Sequence, residues 1–187
     1  MVNKLTIIRG LYPLLTKPKM SMHLAAFSKE LQEPHPTVRL WLGELEEEGI
    51  LIKEARGRLS FYRLNLNHPM LIDYLVLAEK ARLIEMCTSS LILSEAVSQF
   101  HSVIEWNMCV IFGSGVASIE KAKDVDVLAI GSDISKEIKS FERKIGKSLH
   151  VISLPNLSGV SAALKSEIEK KHFCITGTEQ FVRWILW

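Results

Sequence analysis

Two aspartates separated by one residue, Asp124 and Asp126, open an apolar run that continues through Val127, Leu128, Ala129 and Ile130. In a strand, residues i and i+2 point to the same side, so this spacing presents two carboxylates together. Like charges held that close repel. A divalent cation relieves the repulsion, and hard Mg²⁺ prefers carboxylate oxygen. Upstream, the wholly apolar run Met108–Phe112 has the composition of a buried strand and ends in Gly113-Ser114-Gly115. A Gly-Ser turn leading into a helix N-terminus offers free N–H groups and a dipole that favour phosphate. Metal-holding carboxylates beside a phosphate cradle point to chemistry on a nucleotide.

The string Gly113-Ser114, nine residues, then Asp124-Val125-Asp126, with an apolar strand on either side, resembles the nucleotidyltransferase superfamily of DNA polymerase β-like fold. The resemblance is to its minimal members and runs from about Val103 to the C-terminus. It implies nucleotidyl transfer from a nucleoside triphosphate. In that reading Gly113, Ser114 and Gly115 hold phosphates, Asp124 and Asp126 hold Mg²⁺, and Lys123 pairs with the acids or with phosphate. Two bound metals would clamp the attacking and leaving oxygens of an in-line displacement. The chain departs from the family pattern at three places. His150 stands where a third carboxylate is usual, and imidazole is a poorer Mg²⁺ ligand. Ser118 stands where a glycine is usual, and Lys123 where a serine is usual. His150 is also a candidate proton acceptor. An active transferase, a nucleotide-binding domain without activity, and a structural or protein-binding domain all remain open.

The resemblance also implies the elements that must position these groups. Residues 141–147 close a helix, Leu149–Leu154 form a third strand, and Gly159–Lys171 form a further helix. The closing stretch His172–Trp187 reads as a short strand, a turn and an apolar tail.

The first part of the chain has a different pattern. Ile8, Leu11, Leu14 and Leu15 give a first helix one apolar face, and Leu24, Phe27 and Leu31 suggest a second. Pro34 and Pro36 sit where a third helix begins. Val38, Trp41, Leu42 and Leu45 recur at i, i+3, i+4 and i+7, and Gly49 stops that helix. Two alternating runs on either side of Arg56-Gly57-Arg58 read as a β-hairpin with a basic tip. Three helices and a basic hairpin, with Thr37-Val38-Arg39, Leu42, Leu45-Glu46 and Gly49 in order, resemble the winged helix-turn-helix of archaeal and bacterial transcriptional regulators over residues 4–67. The resemblance implies a third helix in the major groove of double-stranded DNA, with Thr37, Arg39, Leu40 and Gly43 facing it. Lys53, Arg56, Arg58 and Arg63 would supply the wing. A groove about 12 Å wide admits one helix, and arginine pairs with guanine edges or phosphate. Leu40 and Gly43 stand where basic or polar residues are usual, which leaves Arg39 to read a base. Docking to protein is the alternative to DNA.

Charge supports the division weakly. Residues 1–75 carry ten Lys/Arg against eight Asp/Glu, and residues 76–187 carry thirteen against thirteen. Between the halves, Met70, Tyr74, Leu77, Ala81 and Ile84 follow alternating 4,3 spacing, which suits a helix that pairs with a second copy or one that only cements the two halves. The chain is 48% hydrophobic and 24% charged, ordinary globular composition that argues against disorder. No apolar run approaches the ~18–20 residues of a membrane span. Arg9 interrupts the apolar N-terminal stretch, which is not expected to be a signal peptide. Cys87, Cys109 and Cys174 form no zinc pattern and no disulfide framework, which suits a reducing cytoplasm.

The expectation is an α+β protein of two domains. Residues 1–68 form a winged helix-turn-helix, 69–101 a helical connector suited to dimerisation, and 102–187 a nucleotidyltransferase-like α/β core with a small mixed sheet. That combination resembles archaeal proteins joining the two modules. The expected function is a cytoplasmic DNA-binding regulator whose second domain takes nucleoside triphosphate and Mg²⁺. The alternative is an active transferase of antitoxin type, adding a nucleotide to a protein or nucleic acid, with the winged helix as docking module. Duplex DNA, nucleotide and a second copy of the chain are the expected partners.

Overall fold

The computed structural model describes residues 3–101, 108–113, 116, 119–131 and 135–187. The chain is α+β, with two small sheets. It divides into two compact units, Met1–Arg82 with Leu186, and Leu83–Ile185 with Trp187. The division falls inside helix α5 (Leu71–Cys87). No helix among the described residues is long and apolar enough to cross a membrane.

In the first unit, α1 (Lys4–Ile8), a 3₁₀ turn (Arg9–Leu11) and α2 (Tyr12–Leu15) follow one another and bury Ile7, Ile8, Leu11, Leu14 and Leu15. A two-residue strand β1 (Met22–His23) leads into α3 (Leu24–Leu31), which ends at Gln32 in the left-handed region. Helix α4 (His35–Glu47) starts after extended Pro34, with Pro36 in its first turn, where a missing N–H leaves no bond unmade. Its apolar positions Val38, Trp41, Leu42 and Leu45 are all buried. It ends in a Schellman motif: Gly49 N–H donates to the Glu46 carbonyl at 2.9 Å, and Ile50 N–H to that of Leu45 at 2.9 Å. Strands β2 (Leu51–Arg56) and β3 (Leu59–Leu64) pair antiparallel, and β1 joins the far side of β3, giving the order β1-β3-β2. The two-residue loop Gly57-Arg58 has positive φ at Gly57 and not at Arg58, the pattern of a type II′ hairpin turn. Leu71, Leu75 and Ala78 of α5 are buried, whereas Met70 before it and Leu77 on it are exposed.

The second unit is built on a mixed sheet of order β6-β5-β4-β7. The central strand β4 (Met108–Phe112) runs antiparallel to β5 (Asp124–Ile130) and to β7 (His172–Thr176). Helix α7 (Ser135–Ile145) connects β5 to its parallel neighbour β6 (Ser148–Leu154). The apolarity of β4 has a simple cause, since both its faces are covered. Cys109 and Ile111 pack with Phe100 and Phe141, from α6 (Leu91–His101) and α7. Met108, Val110 and Phe112 pack with Ile168, from α8 (Ala162–Lys170), and with Phe181 and Ile185, from α9 (Thr178–Leu186). Two differences from the sequence reading stand out. Helix α8 begins only at Ala162, where Ser161 caps it by accepting from Leu164 N–H. The apolar tail is itself the helix α9, because Phe181, Val182 and Ile185 recur at helical spacing and are buried.

Candidate functional site

In the first unit a groove of about 350 Å³ lies among β1, the starts of α3 and α4, and the β2–β3 hairpin. Arg39, Lys53, Arg58, His23 and His35 line it with Ser60 and Tyr62, and no carboxylate does. Each basic group is placed by a separate local decision. The buried stripe of α4 leaves Arg39 exposed on the opposite side. On β2, Lys53 is exposed and stands opposite Tyr62 of β3 in the antiparallel register. The hairpin turn projects Arg58, and the pairing of β1 with β3 sets His23 edge-on to Phe61 at 5.7 Å. Lys53 reaches Glu46 at 3.4 Å and lies 5.9 Å above the Tyr62 ring. Among the described residues, Arg39 and Arg58 have no carboxylate partner.

The structure does not gather all the basic residues singled out in the sequence. Arg56 and Arg63 lie outside the groove lining and converge on one carboxylate, Glu54, at 3.1 and 2.7 Å. Those guanidiniums, Arg63 first and then Arg56, hold the Glu54 carboxyl below its ordinary range. Arg56 also stacks over Phe61 at 4.7 Å. Thr37 is half-buried, and Leu40 is 46% exposed. Leu40 and Gly43 border a second hollow on α4, shared with Pro36, Arg39, Glu44 and Glu47. The groove residues that sequence reasoning missed are His23, His35 and Tyr62. Pro34 and Pro36 flank His35 and mark where it stands, but His23 and Tyr62 reach the groove only through the pairing of β1 with β3.

In the second unit, one end of the sheet collects the starts of β5 and β6 and the end of β4. The parallel register sets Asp124 opposite Ser148 and Asp126 opposite His150. Asp126 Oδ1 lies 3.1 Å from His150 Nδ1. The Asp126 side chain is 28% exposed and that of His150 is 71% exposed. The antiparallel register sets Phe112 opposite Asp126, so Gly113 comes against the same carboxylate. A Cβ on Gly113 would stand 2.6 Å from Asp126 Oδ2, and its φ is +79°. Both demands are met only by glycine. Gly113 N–H also donates to the Lys171 carbonyl at 3.2 Å.

Two side chains outside the motifs hold this end of the sheet in place. Lys147 Nζ donates to the carbonyls of Glu120 and Ala122 at 2.7 and 2.6 Å, pinning the approach to β5 beside the entry to β6. Glu142 Oε1 accepts from Leu149 N–H at 2.7 Å. Asp124 and Lys123 are exposed. Ser114 and Gly115, the centre of the expected phosphate loop, lie outside the described residues, as does Ser118. Among the described residues no group of three or more His, Cys, Asp or Glu side chains converges as a metal site would. What the geometry supplies is a carboxylate–imidazole pair. A proton on Nδ1 toward Asp126 leaves Nε2 of the neutral ring as a proton acceptor. Asp124 lies two residues away on the same strand face.

Comparison of the chain with protein-family models, with curated proteins and with solved structures returned no match.

Proposed function

We propose that the chain is a DNA-binding regulator: its first unit is a winged helix that engages a duplex, and its second is a nucleotidyltransferase-like unit that takes a nucleoside triphosphate with Mg²⁺. The observation that carries the reading is the basic groove. Five side chains able to carry positive charge line a concavity without a carboxylate. Such a surface concentrates field on a polyanion, and phosphate contacts of this kind supply most sequence-independent affinity. Arg39 is the side chain suited to a base edge, while Lys53 and Arg58 suit phosphates. The winged-helix assignment rests on the helix-and-hairpin order and on the sequence string of α4. The test is anisotropy of a labelled duplex across a salt series. Lys53→Ala with Arg58→Ala is expected to flatten the slope of log K against log salt by about 2, at ~0.9 per phosphate contact. An unchanged slope would remove the groove from the function.

The second unit's role rests on the order Gly-Ser, Asp-x-Asp and on the packing of Gly113 against Asp126. Asp124 and Asp126 are the residues that would hold Mg²⁺, which would neutralise phosphate charge there. The Asp126–His150 pair favours a second reading, in which the unit transfers a nucleotide: an incoming hydroxyl attacks the α-phosphate, His150 takes its proton, and the α–β bond breaks to release pyrophosphate. Calorimetry of nucleoside triphosphates with Mg²⁺ or Mn²⁺, on the wild type and on Asp126→Asn, tests the site without knowledge of an acceptor. Metal-dependent binding that Asp126→Asn abolishes supports it. Binding that ignores the metal, or none, overturns it.

A further inference from the structure

Strand β6 stands at the edge of its sheet, with β5 on one side and no strand among the described residues on the other. Its pairing decides which backbone groups face outward. Gly131 N–H donates to the Leu154 carbonyl at 2.9 Å, so Leu154 bonds toward β5, and in an unbroken parallel ladder Ile152, His150 and Ser148 do the same. The N–H and C=O groups of Leu149, Val151 and Ser153 therefore point away from the sheet. Glu142 Oε1 takes the Leu149 N–H at 2.7 Å, which agrees with that direction. At the other end Pro155, next in the alternation, has no N–H. Between these two stops, the outward groups of Val151 and Ser153 have no partner among the described residues.

Proteins ordinarily blunt such an edge with a charge, a proline, a bulge or a covering segment. Strand β6 holds no Asp, Glu, Lys, Arg or Pro and pairs with β5 in unbroken register. None of its residues is buried, and Ser148, His150 and Ser153 are exposed. Leu149 and Val151 on one face, with Ile152 and Leu154 on the other, stay half-buried at the rims of the two cores.

We infer that this edge is a strand-pairing surface whose occupant is β6 of a second copy of the chain, running antiparallel about a two-fold axis at Val151. Val151 then meets Val151, and Leu149 of each copy lies across from Ser153 of the other. All the outward residues are engaged, with Leu149 N–H shared between Glu142 and the new carbonyl. A centre at Ile152 would set Leu149 against Pro155, and a centre at His150 would set Ser153 against Lys147, outside the strand. Identical strands oppose like residues, and like charges directly opposite are unfavourable, so a homotypic seam needs the uncharged strand that β6 is. A charged extended peptide would find no counter-charge along it. Short segments of high β-propensity, low charge and no proline pair with their own kind. A two-fold contact uses one edge twice and closes on itself, joining two four-stranded sheets into one continuous sheet. The inference does not rest on the nucleic-acid or nucleotide reading and survives the failure of either.

The seam from Leu149 to Ser153 is short beside the roughly 20–30 residues a side of a standard interface, so the dimer depends on concentration. The test is sedimentation of the full chain over a concentration series, with amide hydrogen exchange followed by NMR at both ends of the series. The wild type is expected to pass from monomer to dimer. The Val151 and Ser153 amides are expected to pass from fast to slow exchange, while that of Ile152, directed at β5, stays slow throughout. Ser153→Pro removes an outward N–H and none that bonds to β5, the one place where a strand tolerates proline. It is expected to weaken dimerisation by roughly tenfold, through the loss of one bond per copy, with an unchanged circular dichroism spectrum. Ser153→Ala keeps the N–H and is expected to dimerise like the wild type. A wild type that stays monomeric at every concentration overturns the second copy as occupant. A dimer whose Val151 and Ser153 amides exchange as fast as in the monomer overturns the edge as its seat. So does a folded Ser153→Pro chain that dimerises with wild-type affinity.

Discussion

Glu54 is the residue whose removal should strengthen nucleic-acid binding. It holds Arg63 at 2.7 Å and Arg56 at 3.1 Å, so two of the hairpin's cations are neutralised within the chain before any ligand arrives. Glu54→Gln keeps the shape and the β2 position but removes the charge that competes with phosphate. If both freed guanidiniums then reach phosphates, the slope of log K against log salt steepens by up to about 2, at ~0.9 per contact. Across a fourfold change in salt, that is a difference of roughly tenfold in affinity, with the variant tighter at the low-salt end. The cost to folding is small, because exposed ion pairs are screened by solvent and contribute little net stability. Acid should act in the same direction. The Glu54 carboxyl is held below its ordinary range, chiefly by Arg63. The pairs are therefore intact at neutral pH, and their contribution is lost only as pH falls through the depressed value. The assay is anisotropy of a labelled duplex, wild type against Glu54→Gln, from low to moderate salt. A third chain carrying Glu54→Gln, Arg56→Ala and Arg63→Ala should lose the gain. If Glu54→Gln leaves affinity and slope unchanged, the hairpin does not meet phosphate, and the nucleic-acid reading of the first unit loses its wing.

Other perturbations probe the second unit. Phe141 is fully buried with its ring 5.1 Å from that of Phe100; Phe141→Ala is expected to lower stability by about 3–5 kcal/mol in urea unfolding. Burial pushes the Cys109 thiol up to about 12, leaving roughly one molecule in ten thousand as thiolate at pH 8. A maleimide should therefore label half-buried Cys87 in the folded chain and reach Cys109 only on unfolding, as peptide mapping would show. Gly113→Ala places a Cβ against the Asp126 carboxylate at a positive φ. It is expected to cost about 1–2 kcal/mol and to weaken any metal-dependent nucleotide binding more than Asp124→Asn does.

Much of the scaffold was legible because the information is local. The buried stripe of α4 is written in the spacing of Val38, Trp41, Leu42 and Leu45, and its end in Gly49. The hairpin is announced by Gly57, and β4 by an apolar run that only a strand covered on both faces requires. The start of α8 was misjudged because Ser161 caps a helix through a hydrogen bond to Leu164, while Gly159 before it sits in a separate 3₁₀ turn. The helix of the apolar tail is written in the spacing of Phe181, Val182 and Ile185, which the expectation of an apolar tail left unassigned.

The sites divide along the same line, and the division says where their chemistry is controlled. Residue types were readable; which charges meet was not. Arg56, Arg58 and Arg63 are equivalent cations in the sequence. The register of β2 against β3 brings Arg63 to Glu54, Arg56 reaches the same carboxylate from two residues along β2, and Arg58, in the turn, has no carboxylate partner among the described residues. Likewise Asp124 and Asp126 are an equivalent pair until parallel register sets one of them opposite His150 and antiparallel register sets Gly113 against the same carboxylate. A one-residue slip in either ladder would exchange those partners and turn each side chain to the other face of its sheet. Register is fixed by the buried alternation on the opposite face: Leu51 on β2, and Val125 and Val127 on β5. The apolar residues therefore select the electrostatic partners without touching them. It follows that substitutions at Val125 or Val127 that loosen the ladder should disturb the Asp126–His150 pair more than surface charge changes nearby, a difference readable in the chemical shifts of the His150 ring at fixed pH by NMR.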